Sequence, residues 1–177
     1  DNYNNQGDLS SIVAGTSNTM NGNFDDSSIG GGNQNSITDE ESFIGAGQLN
    51  LISINEAAIG GGFQNVISGQ RSSILGGSSN TVTGEYSLAF GRQSEANADY
   101  TVALGRRAVA DDLGCFVFAD GNDSEVNSNG TTGRFTARFS NGYRFYTEGD
   151  LSVFVGLTPG CSNWGTFSDS SLKECIL

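Results

Sequence analysis

Residues 27–86 decide the fold, because they repeat with a period of 15 residues over four copies without a gap. The copies read SSIGGGNQNSITDEE (27–41), SFIGAGQLNLISINE (42–56), AAIGGGFQNVISGQR (57–71) and SSILGGSSNTVTGEY (72–86). Outward from this block, residues 10–26 are a degenerate copy with two extra residues, and two copies of 14 residues follow at 87–100 and 101–114. The repeat therefore comprises seven units.

Two columns of β-branched residues recur in these units, eight residues apart. A unit of this length is too short for a helical repeat, and Val and Ile favour pleated, buried surfaces. The pattern predicts an all-β fold, a parallel β-solenoid (β-roll) in which each coil supplies two short strands and two turns. The columns are Ile29, Ile44, Ile59 and Ile74, and then Ile37, Ile52, Ile67 and Val82.

Glycine and asparagine form two further columns, which we interpret as the corners of the coil. A glycine three residues after the first Ile permits a positive φ or a close approach of the backbone. Asn tolerates the left-handed region, and stacked Asn side chains can hydrogen-bond from coil to coil. These expected ladders are Gly32, Gly47, Gly62 and Gly77, with Asn18, Asn35, Asn50, Asn65 and Asn80.

Composition excludes several classes of protein. The chain has 177 residues with 26 Gly, 1 Pro, no His and a net charge of −12. Collagen needs Gly at every third residue, and the excess negative charge repels nucleic acid. Without His there is no Ser-His-Asp triad, and no apolar run approaches the ~20 residues that span a bilayer. The periodicity argues against disorder, and we expect no cofactor.

The repeats divide the chain into four regions and predict self-association. We expect an N-terminal segment (1–9), the solenoid (10–114), a β-rich transition region (115–160) and a tail (161–177). Seven coils spaced by about 4.8 Å give a rod of about 34 Å. Such a thin rod buries few large side chains and exposes strand edges at its ends, so we expect an oligomer.

Residues 87–110 carry a family resemblance. They read SLAFGRQSEANADYTVALGRRAVA and are similar to the head repeats of YadA-like trimeric autotransporter adhesins, whose pattern is SxAxGxxAxA. The resemblance implies a left-handed parallel β-roll in a tight homotrimer. Ile in place of the usual Ala or Val, and the bulky Phe24, Phe43 and Phe63, depart from the pattern. The matching residues are Ser87, Ala89, Gly91, Ala96, Ala98, Val102, Ala103, Gly105, Ala108 and Ala110.

The segment after the repeats resembles one that follows such repeats in phage tail fibres and bacterial surface proteins. It comprises CFVFAD (115–120) and RFTARFSNGYRFYT (134–147). Apolar and polar residues alternate on both sides of Asn141-Gly142, a strong signal for a two-residue hairpin turn. We therefore expect two strands paired as a hairpin around this dipeptide.

The last ten residues, SDSSLKECIL (168–177), are similar to the start of the endosialidase-type intramolecular chaperone domain. That domain trimerises fibres and then releases itself by autoproteolysis between Ser and Asp. The resemblance implies self-cleavage between Ser168 and Asp169, with Lys173 as the motif lysine. Ser170 and Cys175 stand where Arg and Asn are common in the family.

Acidic residues recur at one turn and raise two alternatives. Asp25, Asp26, Asp39, Glu40 and Glu41 are candidates for a calcium ladder, because Ca²⁺ takes carboxylate ligands. Paired carboxylates also occur in glycosidases. A solvated, solubilising edge explains the same residues, and the calcium-binding nonapeptide signature is absent. We therefore assign no metal site and no enzymatic activity beyond the possible self-cleavage.

Cysteines and glycosylation signals leave further questions open. Cys115, Cys161 and Cys175 are odd in number, so either one thiol is free or bonding is intermolecular. Cys115 is either a small buried residue or a residue that meets its copies on a threefold axis. Asn122 and Asn129 begin N-glycosylation signals.

The favoured function is structural. We expect a subunit of an extracellular trimeric fibre, an adhesin head or a phage-like tail fibre, that acts as a stiff, multivalent attachment rod at a cell surface or on a virion. Its partners are its own copies and a receptor or glycan that the sequence does not identify. One alternative is a filament that stacks end to end. Less favoured are a polysaccharide-acting solenoid and an ice-binding solenoid, which needs a regular Thr column; Thr stands at 38, 81 and 83.

Overall fold

A computed structural model describes residues 1–4, 9–21, 26–146, 153–157 and 165–168. The chain divides into two compact units, Asp1–Ala137 and Arg138–Leu177. The first unit holds two nine-stranded sheets, and a separate three-stranded sheet follows. The predicted all-β class and parallel solenoid are thus confirmed.

Consecutive strands alternate between the two large sheets, which is the signature of a coil. Sheet I contains β1 (Tyr3–Asn4), β3 (Thr19–Met20), β5 (Ser36–Ile37), β7 (Leu51–Ile52), β9 (Val66–Ile67), β11 (Thr81–Val82), β13 (Glu95–Ala96), β15 (Ala108–Ala110) and β17 (Val126–Asn127). Sheet II contains β2 (Ser11–Ile12), β4 (Ser28–Ile29), β6 (Phe43–Ile44), β8 (Ala58–Ile59), β10 (Ser73–Ser78), β12 (Leu88–Arg92), β14 (Val102–Arg106), β16 (Phe116–Ala119) and β18 (Phe135–Arg138).

The predicted Ile columns form the core. Ile29, Ile44 and Ile59 are register partners in sheet II, and each is completely buried. Ile37 and Ile52 are register partners in sheet I and are equally buried. Successive residues of a strand point to opposite faces, so one residue of each two-residue strand enters the core and the other faces outward.

The stack is longer than the repeat suggests. Each sheet has nine strands, which at about 4.8 Å per coil give about 43 Å in place of the expected 34 Å. β1 pairs in parallel with β3, and β16 pairs in parallel with β14. Parallel stacking therefore continues on both sides of the range 10–114, where the spacing of the sequence repeat is lost.

The glycine column has both expected features, a positive φ and a close approach of neighbouring backbones. Gly32, Gly47 and Gly62 have φ of 97°, 118° and 107°, in the left-handed half of the map. A Cβ on Gly47 would lie 2.2 Å from the carbonyl oxygen of Gly62 in the next coil. Any side chain at this position would therefore collide with the neighbouring backbone.

Residues other than glycine hold left-handed backbone at two corners of the coil. At the corner before the Asn column, Gln34, Leu49 and Gln64 have φ of 54–59°. At the corner before each sheet II strand, Glu56 and Arg71 have φ of 56° and 57°. Parallel backbone hydrogen bonds fix these corners; for example, the Gln64 N–H donates to the Gln48 carbonyl at 3.0 Å.

The core changes character after the fifth unit. From residue 87 the buried positions are Ala89 and Ala103 in sheet II and Ala96 in sheet I. The sheet II strands lengthen one coil earlier, from two residues in β8 to six in β10, and β12 has five. The lengthening therefore begins in the last coil with an isoleucine core, that of Ile74, and continues in the shorter coils with alanine cores.

The hairpin expected around Asn141-Gly142 is wrong. The dipeptide does turn the chain, since the Gly142 N–H donates to the Phe139 carbonyl at 2.9 Å and Gly142 has φ of 89°. The strand before it, however, is β18, whose neighbour is β16 of sheet II. The strand after it, β19 (Tyr143–Tyr146), pairs with β20 instead. The open edge of β16 outcompetes the local partner.

The second unit contains a small antiparallel sheet. β19 pairs with β20 (Val153–Leu157), and β20 pairs with β21 (Gly165–Ser168). Ser168, the residue before the expected cleavage point, pairs with Val153. Asp169, Ser170 and Lys173 lie outside the described residues.

Candidate interaction faces

From the fifth unit onward every coil carries large apolar side chains on the outer face of sheet II, whereas Phe43 stands alone in the third unit. Leu88, Val102 and Phe116 are register partners and form one column. A second column runs beside it, two residues further along each strand. Together with Leu75, which follows the core residue Ile74 in the preceding coil, these columns form what we call the apolar face: Leu75, Leu88, Phe90, Val102, Leu104, Phe116 and Phe118.

Much of the apolar face is open to solvent in a single chain. Leu75 is 61% exposed, Phe90 47% and Phe116 46%. Phe118 is covered in part by Phe135, whose ring centroid lies 5.6 Å away. No charged residue belongs to the face, although the chain carries a net charge of −12. Contiguous apolar surface of this kind typically marks an interaction site.

In the three coils before Leu75, close backbone packing forbids a side chain at the equivalent position. The equivalent residues are Gly30, Gly45 and Gly60. A Cβ on any of them would lie 2.3–2.4 Å from a carbonyl oxygen of the next coil. At Leu75 itself, the pairing of β10 with β12 has a register irregularity, between Ile74 and Gly77. The sequence shows the change from IGGG to ILGG and AFG, but the apolar face itself was not predicted.

Sheet I presents a different outer face. Thr81 and Thr83 flank the buried Val82, but the corresponding residues one coil earlier are Val66 and Ser68. The outward columns therefore mix hydroxyl and aliphatic side chains, so the regular Thr column required of an ice-binding solenoid does not form.

One corner of the stack is linked by side chains from four consecutive coils. Arg71 binds Glu56 through two nitrogens, with Nε–Oε2 and Nη2–Oε1 distances of 2.5 and 3.0 Å. Its Nη1 donates to the Tyr86 hydroxyl at 2.7 Å, and Tyr86 stacks on Tyr100 with centroids 5.2 Å apart. The hydrogen bond from Arg71 lowers the pKa of Glu56, and the same bond raises the pKa of Arg71.

The acidic candidates do not converge. The described residues include no group of three or more carboxylate, Cys or His side chains placed to hold a metal ion. Asp39 Oδ1 accepts the neighbouring N–H of Glu40 at 2.9 Å, a local turn contact. Asp26 and Glu41 occupy left-handed corner positions, and Asp25 lies outside the described residues.

Asp112 has a specific structural role that the sequence did not reveal. Its Oδ2 accepts hydrogen bonds from the Ser128 hydroxyl at 2.5 Å and the Gly130 N–H at 2.8 Å. The bond from Ser128 is the main cause of a lowered pKa for this carboxyl, with the backbone of Gly130 and Thr131 and the charge of Arg134 contributing. The carboxylate thus fastens the irregular coil at 120–134 to the stack.

Both glycosylation signals fall in this irregular coil, and both asparagines are exposed. Asn122 Oδ1 accepts the Ser124 N–H at 3.2 Å, an Asx turn. Asn129 has φ of 58°, and its N–H donates to Asn127 Oδ1 at 2.7 Å.

Cys115 is a free, fully buried thiol, which favours the small buried residue over a thiol that meets its copies. It occupies a column that was not predicted from the sequence, in which the residue before each sheet II strand is Ser or Thr in most coils. Its Sγ lies 3.1 Å from the Thr131 carbonyl, and the Arg134 N–H donates to it at 3.3 Å. The equivalent Ser87 hydroxyl likewise donates to a carbonyl, that of Ala98, at 3.0 Å. Cys161 and Cys175 lie outside the described residues.

Comparison with known proteins supports the family resemblance over part of the chain. Residues 83–108 match the family model of the YadA head domain repeat in two copies. The match covers β12 to Ala108, the coils that carry the centre of the apolar face. A search of curated proteins finds no match. Within the described residues, no helix is long and apolar enough to cross a membrane. The chain therefore contains YadA-like head repeats within a longer parallel β-solenoid.

Proposed function

We propose that this chain is a structural subunit of an extracellular trimeric fibre that acts as an attachment rod, in an adhesin head or a phage-like tail fibre. The observation that carries the proposal is the exposed apolar face in the same coils that match the YadA head repeat. Head domains of this family are displayed at cell surfaces and associate in threes, which supports an extracellular setting. The role is mechanical, and we propose no catalytic activity apart from possible self-cleavage after Ser168.

The partner of the apolar face is a second and a third copy of the chain. Burial of apolar area contributes about 25 cal/mol per Å², so covering Leu75, Phe90 and Phe116 stabilises association. The face is a property of several stacked coils and runs along the axis of the stack. Copies that meet side by side in parallel would therefore match like residues with like residues at every level.

A trimer of such stacks would combine stiffness with multivalency. The described polar groups on the Asn column are satisfied within each chain, so association needs no rearrangement of the coil. Three copies would present each outward group three times, and weak contacts to one large partner would sum by avidity.

The test is the mass of the protein in solution, measured by light scattering during size-exclusion chromatography. We expect three times the chain mass, independent of concentration, and a shift to one chain mass for Phe90→Glu. Thr83→Glu adds the same charge to the opposite sheet and serves as the control, which should remain trimeric. A monomeric wild type would overturn the proposal. A mass that grows with concentration would instead favour the end-to-end filament.

A further inference from the structure

Three of the eight cationic residues of the chain gather at one corner of two consecutive coils. Arg92 and Arg106 are register partners in β12 and β14. Arg107 follows directly in the left-handed corner position with φ of 57°, and its N–H donates to the Arg92 carbonyl at 2.9 Å. The three residues, which we call the arginine corner, are thus held together by the backbone of the stack.

Only one member of the arginine corner has its charge neutralised by an ion pair. Arg106 forms an ion pair with Asp123 at 2.6 Å and donates to the Gly121 carbonyl at 3.2 Å. Neither Arg92 nor Arg107 has a side-chain hydrogen bond or ion pair within the described part of the chain. Arg71, by contrast, is held by Glu56 through two hydrogen bonds. Two positive charges therefore remain available on a strongly acidic protein.

This arrangement costs energy unless an anion joins it. Register partners in neighbouring strands lie about 4.8 Å apart, and like charges directly opposite one another are destabilising. The Nε atom of Arg106 is also buried without a hydrogen-bond partner. A carboxylate or sulfate accepts two parallel N–H bonds from one guanidinium and could bridge two of them.

We propose that the arginine corner binds the oxyanion groups, sulfate or carboxylate, of an acidic polysaccharide. Arg92 is exposed and Arg107 is half-buried, so both lie at the surface of the stack. The residue of the next coil that contacts Arg106 is Gly121. Because glycine has no side chain, it leaves the corner uncovered. A single oxyanion would bind weakly, whereas a polymer that repeats the group would engage several corners of an assembly. This inference deepens the proposed attachment function and rests on it for its role, although the site lies within one chain.

The experiment measures binding of fluorescent dextran sulfate and carboxymethyl dextran to the full chain by anisotropy, with neutral dextran as the reference polymer. The key variant is Arg92→Ser with Arg107→Gln. These residues already occupy the equivalent places one coil earlier, since Ser78 is the register partner of Arg92 and Gln93 is the left-handed corner residue. The variant should therefore fold, which its circular dichroism and melting temperature will verify.

We expect the double variant to bind the charged polymers at least about tenfold more weakly, because it loses the charge-assisted hydrogen bonds of two guanidinium groups. Preference between the two charged polymers identifies the oxyanion. Arg71→Gln removes one positive charge at a compensated arginine and should change affinity less than about twofold. Unchanged binding by the double variant, an equal loss in Arg71→Gln, or equal binding of neutral dextran would overturn the site.

The mass of each variant in solution separates this inference from the proposed trimer. A monomeric chain whose dextran sulfate binding depends on Arg92 and Arg107 would retain the site and reject the trimer. A trimer whose binding ignores both residues would reject the site and retain the trimer.

Discussion

The side-chain amide of Asn50 donates to the side-chain oxygen of Asn35 at 2.9 Å, and both residues are buried between consecutive coils. The same oxygen accepts the backbone N–H of Asn50 at 3.1 Å. The Asn50 amide also donates to the Gly62 carbonyl of the following coil at 3.0 Å. One side chain thus ties three coils together, and the pattern repeats at Asn65.

Asn50→Ala should destabilise the solenoid by about 2–4 kcal/mol. The replacement removes the acceptor of the Asn65 N–H and of its side-chain amide, and buried groups left without partners cost about 1–3 kcal/mol each. The measurement is the midpoint of chemical unfolding followed by circular dichroism.

Two further variants of this ladder sharpen the test. Asn50→Ser should cost less than Asn50→Ala, because Ser94 continues the ladder naturally and its hydroxyl donates to the Gly105 carbonyl at 3.0 Å. Gln48→Ala, at an exposed position of the same coil, should change stability by less than about 0.5 kcal/mol. Equal costs for Asn50→Ala and Gln48→Ala would contradict the ladder interpretation.

Gly47→Ala should be far more harmful than Gly31→Ala, although both change one glycine of the same motif. A Cβ at residue 47 would lie 2.2 Å from the Gly62 carbonyl oxygen, and φ is 118°. A Cβ at residue 31 would meet its nearest atom at 3.6 Å, and the next coil already has Ala46 there. We expect Gly31→Ala to be neutral or to stabilise by up to about 1 kcal/mol.

Thermal unfolding of the two glycine variants, recorded side by side, checks this prediction. Gly47→Ala should lower the melting temperature by several degrees or prevent folding, whereas Gly31→Ala should keep or raise it. Similar melting temperatures for both variants would show that the third glycine of the motif is not under steric constraint.

The sequence predicted the coil because each column of the repeat has one physical role. Ile59 fills the core, Gly62 permits the close approach of two backbones, and Asn65 bonds to the coils on both sides. These requirements recur at every coil, so the period appears directly in the residues. Such periodicity is informative because each coil packs only on its neighbours.

Features that depend on competition between partners were not predictable in this way. The Asn141-Gly142 turn exists, yet its flanking strands pair elsewhere, because local turn signals say nothing about a free sheet edge nearby. The apolar face was missed because Leu75 and Phe90 stand where earlier units have glycine, which disguises the column. Cys115 was ambiguous because its equivalence to Ser87 becomes visible only when the coils are stacked.

Stability of the irregular coil at 120–134 should fall in acid through Asp112. Its folded-state pKa is lowered below the ordinary value of 3.8, chiefly by the bond from Ser128. Its contribution is therefore fully present above that value and is lost as the pH falls through the lowered pKa. We expect hydrogen exchange at the Gly130 amide, normalised for intrinsic exchange rates, to lose protection below about pH 3.8.

The matched variants are Asp112→Asn and Glu125→Gln. An amide at residue 112 does not titrate, so the acid-dependent part of the protection should disappear. Glu125 is an exposed carboxylate in the same coil, and its replacement should leave the pH profile unchanged. An identical acid response in wild type and Asp112→Asn would assign the effect to another group.

Cys115 should behave as a member of the Ser and Thr column and not as a reactive thiol. Its side chain is completely buried and lies 3.1 Å from the Thr131 carbonyl. Native protein treated with iodoacetamide should remain unmodified at residue 115 until it is unfolded, as peptide mass spectrometry will show. Cys115→Ser keeps a donor and an acceptor and should lower the free energy of unfolding by less than about 1 kcal/mol. Cys115→Ala leaves the Thr131 carbonyl and the Arg134 N–H without this partner and should lower it more. Rapid alkylation of folded protein at residue 115, or greater loss of stability with Ser than with Ala, would contradict the assignment, because either result requires the thiol to lie outside the hydrogen-bonded column.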